Sequence, residues 1–234
     1  MKIIATLILV AALSFGSQAS ADYAEGYDAF HRGDYETALK EWRPLAEQGD
    51  SGAQYGLGIL YHKGLGVRQN YREARRWYRM VAELGDLRAL TSLGTTYYDA
   101  DESWQRDYKE AMKWYLVAAE QDHAVAQYYL GIMYLKGEGV PEDDDEAMKW
   151  FRVAAEQGLV DAQFSLAYMQ YDGDYGVQAG LLDYEDALKW FRRAAEQGHT
   201  GAQVILSDMY DFGQGVPVDH KRSHMWANIS AVKR

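Results

Sequence analysis

His220 and His224 stand four residues apart, the spacing at which two imidazoles on one helix face share a metal ion. No glutamate follows His220 and no third ligand is evident, so a zinc site is not expected there. The other four histidines are scattered, and His62, near an expected helix end, reads as a solvated side chain. Gly64 and Gly66, Gly137 and Gly139, and Gly213 and Gly215 form G-x-G pairs of the kind that cradle phosphate. A phosphate loop needs a preceding strand and a following lysine and hydroxyl, and neither is present, so these pairs read as interhelix turns. The run Glu142 to Glu146 lacks the alternating ligands, central glycine and distant glutamate of a calcium loop, and suits a charged helix start instead. Ser230-Ala231-Val232-Lys233 matches the S-x-x-K of penicillin-recognising enzymes, but the companion S-D-N and K-T-G motifs are missing. No acid, base and nucleophile set can be assembled, so the chain is not expected to be an enzyme or to hold a cofactor or metal. A hydrolase of β-lactams or cell-wall peptides is the alternative of another class.

The elements that would position any site must be helical. Hydrophobic residues make up 48% and charged residues 25% of the 234, a composition that folds, and only 3 prolines stand beside 22 glycines. The formal net charge of -11 makes nucleic acid and anionic membranes poor partners. Cysteine is absent, so the fold is stabilised by packing without disulfides.

Lys2, the apolar stretch Ile3 to Phe15 and the small residues Ala19-Ser20-Ala21 follow the order of a signal peptide. Cleavage after Ala21 is expected, giving a soluble periplasmic product with no membrane insertion; full secretion is the alternative.

Self-similarity organises everything after that segment. Trp77, Trp114, Trp150, Trp190 and Trp226 keep one phase, and so do Ala53, Ala89, Ala126, Ala162 and Ala202, with both series sharing one long step. Six units are expected after a signal peptide at 1–21: 23–49, 50–85, 86–122, 123–158, 159–198 and 199–234. Each reads as two helices. Ala126, Leu130, Gly131 and Tyr134 share one helical face, and Ala147, Trp150, Phe151, Ala154 and Ala155 share another. Glycine and proline in KGEGVPEDD divide the pair, and Gly49, Gly85, Gly158 and Gly198 sit where a helix ends in a left-handed residue, a place Asp122 takes once. Gly58, Gly94 and Gly131, replaced by Ala167 and Ser207 in later units, are expected to be sockets for the tryptophans. The ending MWANISAVKR is expected to be a C-terminal cap with a polar exterior.

The order A-x-x-x-L-G-x-x-Y, G-x-G-V, then A-x-x-W-Y/F-x-x-A-A-E-Q-G resembles the Sel-one-like repeat family, relatives of the tetratricopeptide repeats, from Tyr23 to Arg234. The third unit departs from it with DADESWQRD, the fifth with DGDYGVQAGLLD and with Gln170 in place of tyrosine. The resemblance implies an all-α fold, a right-handed α/α solenoid of about six helix pairs, and a scaffolding role in protein complexes or signalling. The family's cysteine-dependent link to β-lactams does not transfer to a chain without cysteine.

The expected function is a periplasmic scaffold or regulator of an envelope complex, acting as a monomer on a protein partner; an exported effector binding a host protein is the alternative. By likeness to tetratricopeptide arrays, the partner-binding concave face is lined by Tyr55, Ile59, His62, Arg88, Thr95, Tyr98, Val125, Tyr128, Ile132, Leu135, Phe164, Tyr168 and Tyr171. Tyr98, Tyr168 and Tyr171 are expected to lie furthest from the core. Tyr55, Tyr128 and Phe164 share one register and could equally pack between neighbouring helices.

Overall fold

A computed structural model describes residues 23–100, 106–172 and 183–231. The expected leader, the centre of DADESWQRD, most of DGDYGVQAGLLD and the last three residues lie outside them. The described residues form twelve helices and no strand. They are α1 (23–32), α2 (Tyr35–Glu47), α3 (Ser51–Lys63), α4 (Tyr71–Ala82), α5 (Leu87–Tyr98) and α6 (Tyr108–Ala119). Then come α7 (Ala124–Lys136), α8 (Asp144–Glu156), α9 (Val160–Tyr171), α10 (Tyr184–Glu196), α11 (Thr200–Phe212) and α12 (His220–Ala231). Odd-numbered helices are the first of each pair and even-numbered helices the second. The chain divides into two compact bodies between Trp114 and Tyr115. Within each, packing runs between consecutive helices, α2 to α5 in the first body and α7 to α12 in the second.

Helix starts follow from short polar side chains that satisfy the free N–H groups of the first turn. The carboxylate of Asp50 accepts from Ala53 N at 2.8 Å, that of Asp107 from Glu110 N at 3.0 Å and that of Asp143 from Glu146 N at 2.9 Å. The acidic run Glu142 to Glu146 is thus a helix start, with Asp144, Asp145 and Glu146 in the first turn of α8. The ends are equally local. Gly49, Gly85, Gly158 and Gly198 have φ between 84° and 96°, and Asp122 makes the same left-handed turn at φ 61°.

The G-x-G pairs are turns. Gly64, Gly137 and Gly213 cap α3, α7 and α11 in the left-handed conformation. The second glycine has a further reason. A Cβ on Gly66 would lie 2.9 Å from the carbonyl carbon of Tyr35, and one on Gly215 would lie within bonding range of the Tyr184 backbone, so each turn closes on the start of the preceding unit's second helix. The backbone N–H at the next helix start then donates to the carbonyl of the unit's recurring tyrosine: Asn70 to Tyr61, Asp107 to Tyr97, Asp143 to Tyr134 and Asp219 to Tyr210, at 2.8–3.0 Å. The third unit, without G-x-G-V, keeps that bond. Gln170, standing where tyrosine is expected, is buried and its amide donates to Asp186 of α10 at 2.8 Å.

The small helical residues are sockets, but at Gly58 and Gly131 the knob is the aromatic after the tryptophan; in the first unit, against Gly26 and Gly56, it is a tryptophan, Trp42. A Cβ on Gly58 would overlap the ring of Tyr78, and one on Gly131 would sit 2.6 Å from the ring of Phe151. Tyr78, Tyr115, Phe151 and Phe191, each one residue after a tryptophan, are the largest fully buried side chains, whereas Trp77 and Trp190 are buried but less completely and Trp114, Trp150 and Trp226 stay partly exposed. Helical phase explains the correction: one residue is 100° of rotation, and it carries the aromatic that follows Trp onto the inner face. The polar exterior expected of the last unit is also corrected. In the ending MWANISAVKR, to which that expectation applies, Met225 is 46% and Ile229 38% exposed.

Candidate protein-binding face

Four of the first helices, α3, α7, α9 and α11, are fixed by a hydrogen bond that periodicity analysis missed. Gln54, Gln127, Gln163 and Gln203 are buried, and each amide donates to a carbonyl at the end of the preceding second helix: Ala46, Ala119, Ala155 and Ala195, at 3.0–3.2 Å. Gln157 and Gln197 of the E-Q-G ends then donate to Gln127 and Gln163 at 2.7 and 2.9 Å. A buried amide bonded on both sides is held in one rotamer and fixes the rotation of its helix. The signal was the recurring Ala-Gln pair, broken once at Ala89-Leu90. A second clamp reinforces two of these joints and also joins α4 to α5, where the amide is missing. Arg43, Arg79 and Arg192 donate to the hydroxyls of Tyr61, Tyr97 and Tyr210 at 2.6–3.2 Å.

With the rotation fixed, the expected face can be placed in each body separately. In the first, Tyr55 is partly buried, packs 5.5 Å from the Tyr78 ring and has its hydroxyl 3.2 Å from that of Ser92 in the next first helix. Arg88 is exposed, stacks 5.0 Å over Tyr55 and is ion-paired with Asp86 at 2.7 Å. That hydrogen bond is the main reason the Asp86 carboxyl is held below its ordinary range. Ile59 is partly exposed on the same helix. Tyr98 lies partly buried at the end of α5, edge-on to Tyr108 at 5.4 Å.

His62 is not the solvated residue expected. It is partly buried between Tyr71 and Tyr78, with ring centroids 5.6 and 6.1 Å away. Burial first, then the charges of Lys63 and Arg75, pushes its pKa down to about 4.

In the second body, Tyr128, Ile132, Leu135, Phe164, Tyr168 and Tyr171 are all partly buried against one core cluster. Tyr128 packs 5.6 Å from Phe151, and burial raises its pKa against a hydrogen bond with Ser165 of the next first helix. Phe164 stacks on His199 at 4.2 Å and on Tyr168 at 5.8 Å. Tyr171 packs against Tyr184 and Phe191 while its hydroxyl donates to Gln214 at 2.9 Å. Tyr98, Tyr168 and Tyr171 therefore do not stand clear: Tyr98 and Tyr171 join their helices to the next one, and Tyr168 rests on the core cluster. Tyr55, Tyr128 and Phe164 bridge successive first helices, as their shared register allowed. Val125, in the register of Arg88, is exposed.

The remaining chemistry-bearing residues stay apart. His220 sits 2.7 Å from the Asp211 carboxylate, while His224 is exposed. Among the described residues no three His, Asp or Glu side chains converge as metal ligands. No described helix is long and apolar enough to cross a membrane.

Helix pairs packed in chain order within each body, with recurring amide and guanidinium clamps between units, define an α/α solenoid repeat protein, a class built around protein contact. The Sel1 repeat profile matches residues 51–86, 88–123, 124–159, 160–199 and 200–231, and the chain belongs to that family. Among solved structures it is similar to c5321, a protective antigen present in uropathogenic Escherichia coli strains displaying an SLR fold. The identity is 33% and the TM-score 0.78, over 97% of this chain and 48% of that one, so the chain spans about half the length of c5321. A Sel1 repeat protein from Oxalobacter formigenes shares 33% identity at TM-score 0.72, over 91% of this chain and 82% of that one. A putative sel1 repeat protein from Klebsiella pneumoniae, 22% identical at TM-score 0.54 over 83% and 92% of the two chains, shares the fold. No curated protein matches the chain.

Proposed function

We propose that the protein is an exported scaffold or regulator that binds a protein of the cell envelope through its first helices. The observation carrying this reading is that, in each body, aromatic and aliphatic side chains of the first helices rest on the core yet keep part of their surface open: Tyr55 and Ile59 in the first, Tyr128, Ile132, Phe164 and Tyr168 in the second. Rigid amphipathic rings already held by neighbours lose little freedom on binding, which is why such residues dominate protein interfaces. Arg88 and Val125 occupy one register of α5 and α7, and each is exposed in its own body. The leader-like order of Lys2, apolar stretch and Ala19-Ser20-Ala21 supports export, as does the likeness to a protein described as a protective antigen.

Two measurements test it. The mature protein, used as bait in an envelope extract, captures a defined partner, and Arg88→Glu with Val125→Glu abolishes capture while circular dichroism is unchanged. Undiminished capture by the folded double variant moves the site off the first helices. N-terminal sequencing of cell-derived protein from the periplasmic fraction starts at Asp22; an intact Met1 in the cytoplasm overturns export.

A further inference from the structure

The second helix α4 carries a feature that the scaffold reading does not use. Arg72, Arg75, Arg76 and Arg79 fall within two turns of it, in a chain of net charge -11. They line a cleft of about 810 Å³ floored by Tyr97. No other second helix repeats this. At the register of Arg75 the units carry Leu39, Met112, Met148, Leu188 and His224, and at that of Arg72 they carry Glu36, Lys109, Asp145, Glu185 and Lys221.

The four guanidiniums are not equivalent. Arg75 donates to the Thr96 carbonyl at 2.6 Å and stacks 3.9 Å over Tyr97, and Arg79 donates to the Tyr97 hydroxyl at 3.2 Å. These two build the floor. Arg76 is 63% exposed, pairs loosely with Glu73 at 3.6 Å and lies 5.0 Å over the Trp77 ring, and Arg72 is exposed with no side-chain partner among the described residues. Glu83 and Asp107 also line the cleft, and the Asp107 carboxylate is already occupied by the start of α6. Arg72, Arg76 and Met80 are spaced by four, one above another, all exposed. Each step is about 6 Å along the helix, close to the ~6.6 Å between same-side residues of an extended chain.

We propose that this cleft binds a short acidic segment of a partner protein in extended form. Two alternate carboxylates pair with Arg72 and Arg76, and a following apolar side chain lies on Met80 and the Tyr97 ring. Guanidinium planes suit carboxylates in bidentate geometry. The occupant is a short segment because a polyanion such as nucleic acid, or an anionic membrane, meets repulsion from the rest of this chain. The site is separate from the first-helix face and stands or falls independently of it.

The test uses the full mature chain and a fluorescein-labelled peptide with the order acid, spacer, acid, spacer, leucine; a lysine-for-acid peptide is the control. Saturable anisotropy is expected for the acidic peptide alone, weakening with added salt. Arg72→Ser with Arg76→Ser is expected to weaken it at least about fivefold, with unchanged circular dichroism because neither side chain holds the floor. Arg72→Lys with Arg76→Lys restores part of the binding. Equal binding by the folded serine variant overturns the proposal. So does displacement by inorganic phosphate at the peptide's own half-saturating concentration, which makes the cleft a small-anion site. Binding that appears only after Asp101→Asn with Glu102→Gln also overturns it, by assigning the cleft to the chain's own acidic residues.

Discussion

At the scale of single residues, the side chains that matter most are neutral amides and a neutral histidine. Gln163 links the Ala155 carbonyl to the Gln197 amide, both inside the second body. Gln163→Ala removes the side-chain bond to the Ala155 carbonyl, which still accepts from Gly158 N, and the bond from the exposed Gln197 amide, at about 1 kcal/mol in a urea melt. Gln163→Leu should cost less, because the third unit already places Leu90 at this position; two equal and negligible losses would remove the clamp from the account. His62 gives a pH signature. Its folded pKa lies at about 4, below the ordinary 6.5, so under pH 6.5 the unfolded chain takes up a proton that the folded chain refuses. Stability from this residue is complete above pH 6.5 and is lost as pH falls toward 4. Thermal midpoints of His62→Gln should therefore drop less than wild type between pH 7 and pH 5; parallel curves would show that His62 is not held neutral. Neither role was legible from residue type alone. Polar side chains average to the surface in composition arguments, and only hydrogen-bond partners contributed by neighbouring helices make them structural.

At the scale of elements, much was legible, because helix starts, stops and faces are set locally. The turn glycines, the left-handed Asp122 and the acidic start of α8 all follow from rules acting over a few residues. The error was one of phase. Trp and the aromatic after it are neighbours in sequence, and periodicity marks both as apolar without deciding which points at the socket. Phe151, fully buried over Gly131, is the knob. Phe151→Ala should cost about 3–5 kcal/mol, and Trp150→Ala clearly less. Matched denaturant melts decide it, and a larger loss at Trp150 would restore the tryptophan to the core. The candidate face was legible only as a set of positions. Tyr98, Tyr168 and Tyr171 were expected to stand clear, yet Tyr98 and Tyr171 lean on Tyr108 and Tyr184 of the next helix, whose distance helical periodicity does not encode, and Tyr168 rests on the core cluster beside Phe164 of its own helix.

At the scale of the molecule, stability in a repeat array is a sum of unit terms and nearest-neighbour terms, with no single central core to lose. The buried clusters behave that way. One runs from Ala29 to Trp77, and another, from Ala147 to Met209, lies wholly within the second body. The amide clamps are local too, each joining helices of the same or the adjacent unit. A fragment that begins at Asp107 retains the side chain that starts α6, the clamp between Gln127 and Ala119, the stacking of Tyr115 on Tyr129 and the whole second cluster. It holds more than three helix pairs, the minimum at which stacked repeats bury a continuous core. Residues 107–234 expressed alone should therefore give a helical spectrum and a cooperative melt, at a lower midpoint than the full chain because terms at the new end are missing. Urea titration of both proteins supplies a second reading: the slope with denaturant falls with the surface that the shorter chain buries, while the transition stays single. A random-coil spectrum for the fragment, or a melt without cooperativity, would show that stability depends on the whole array.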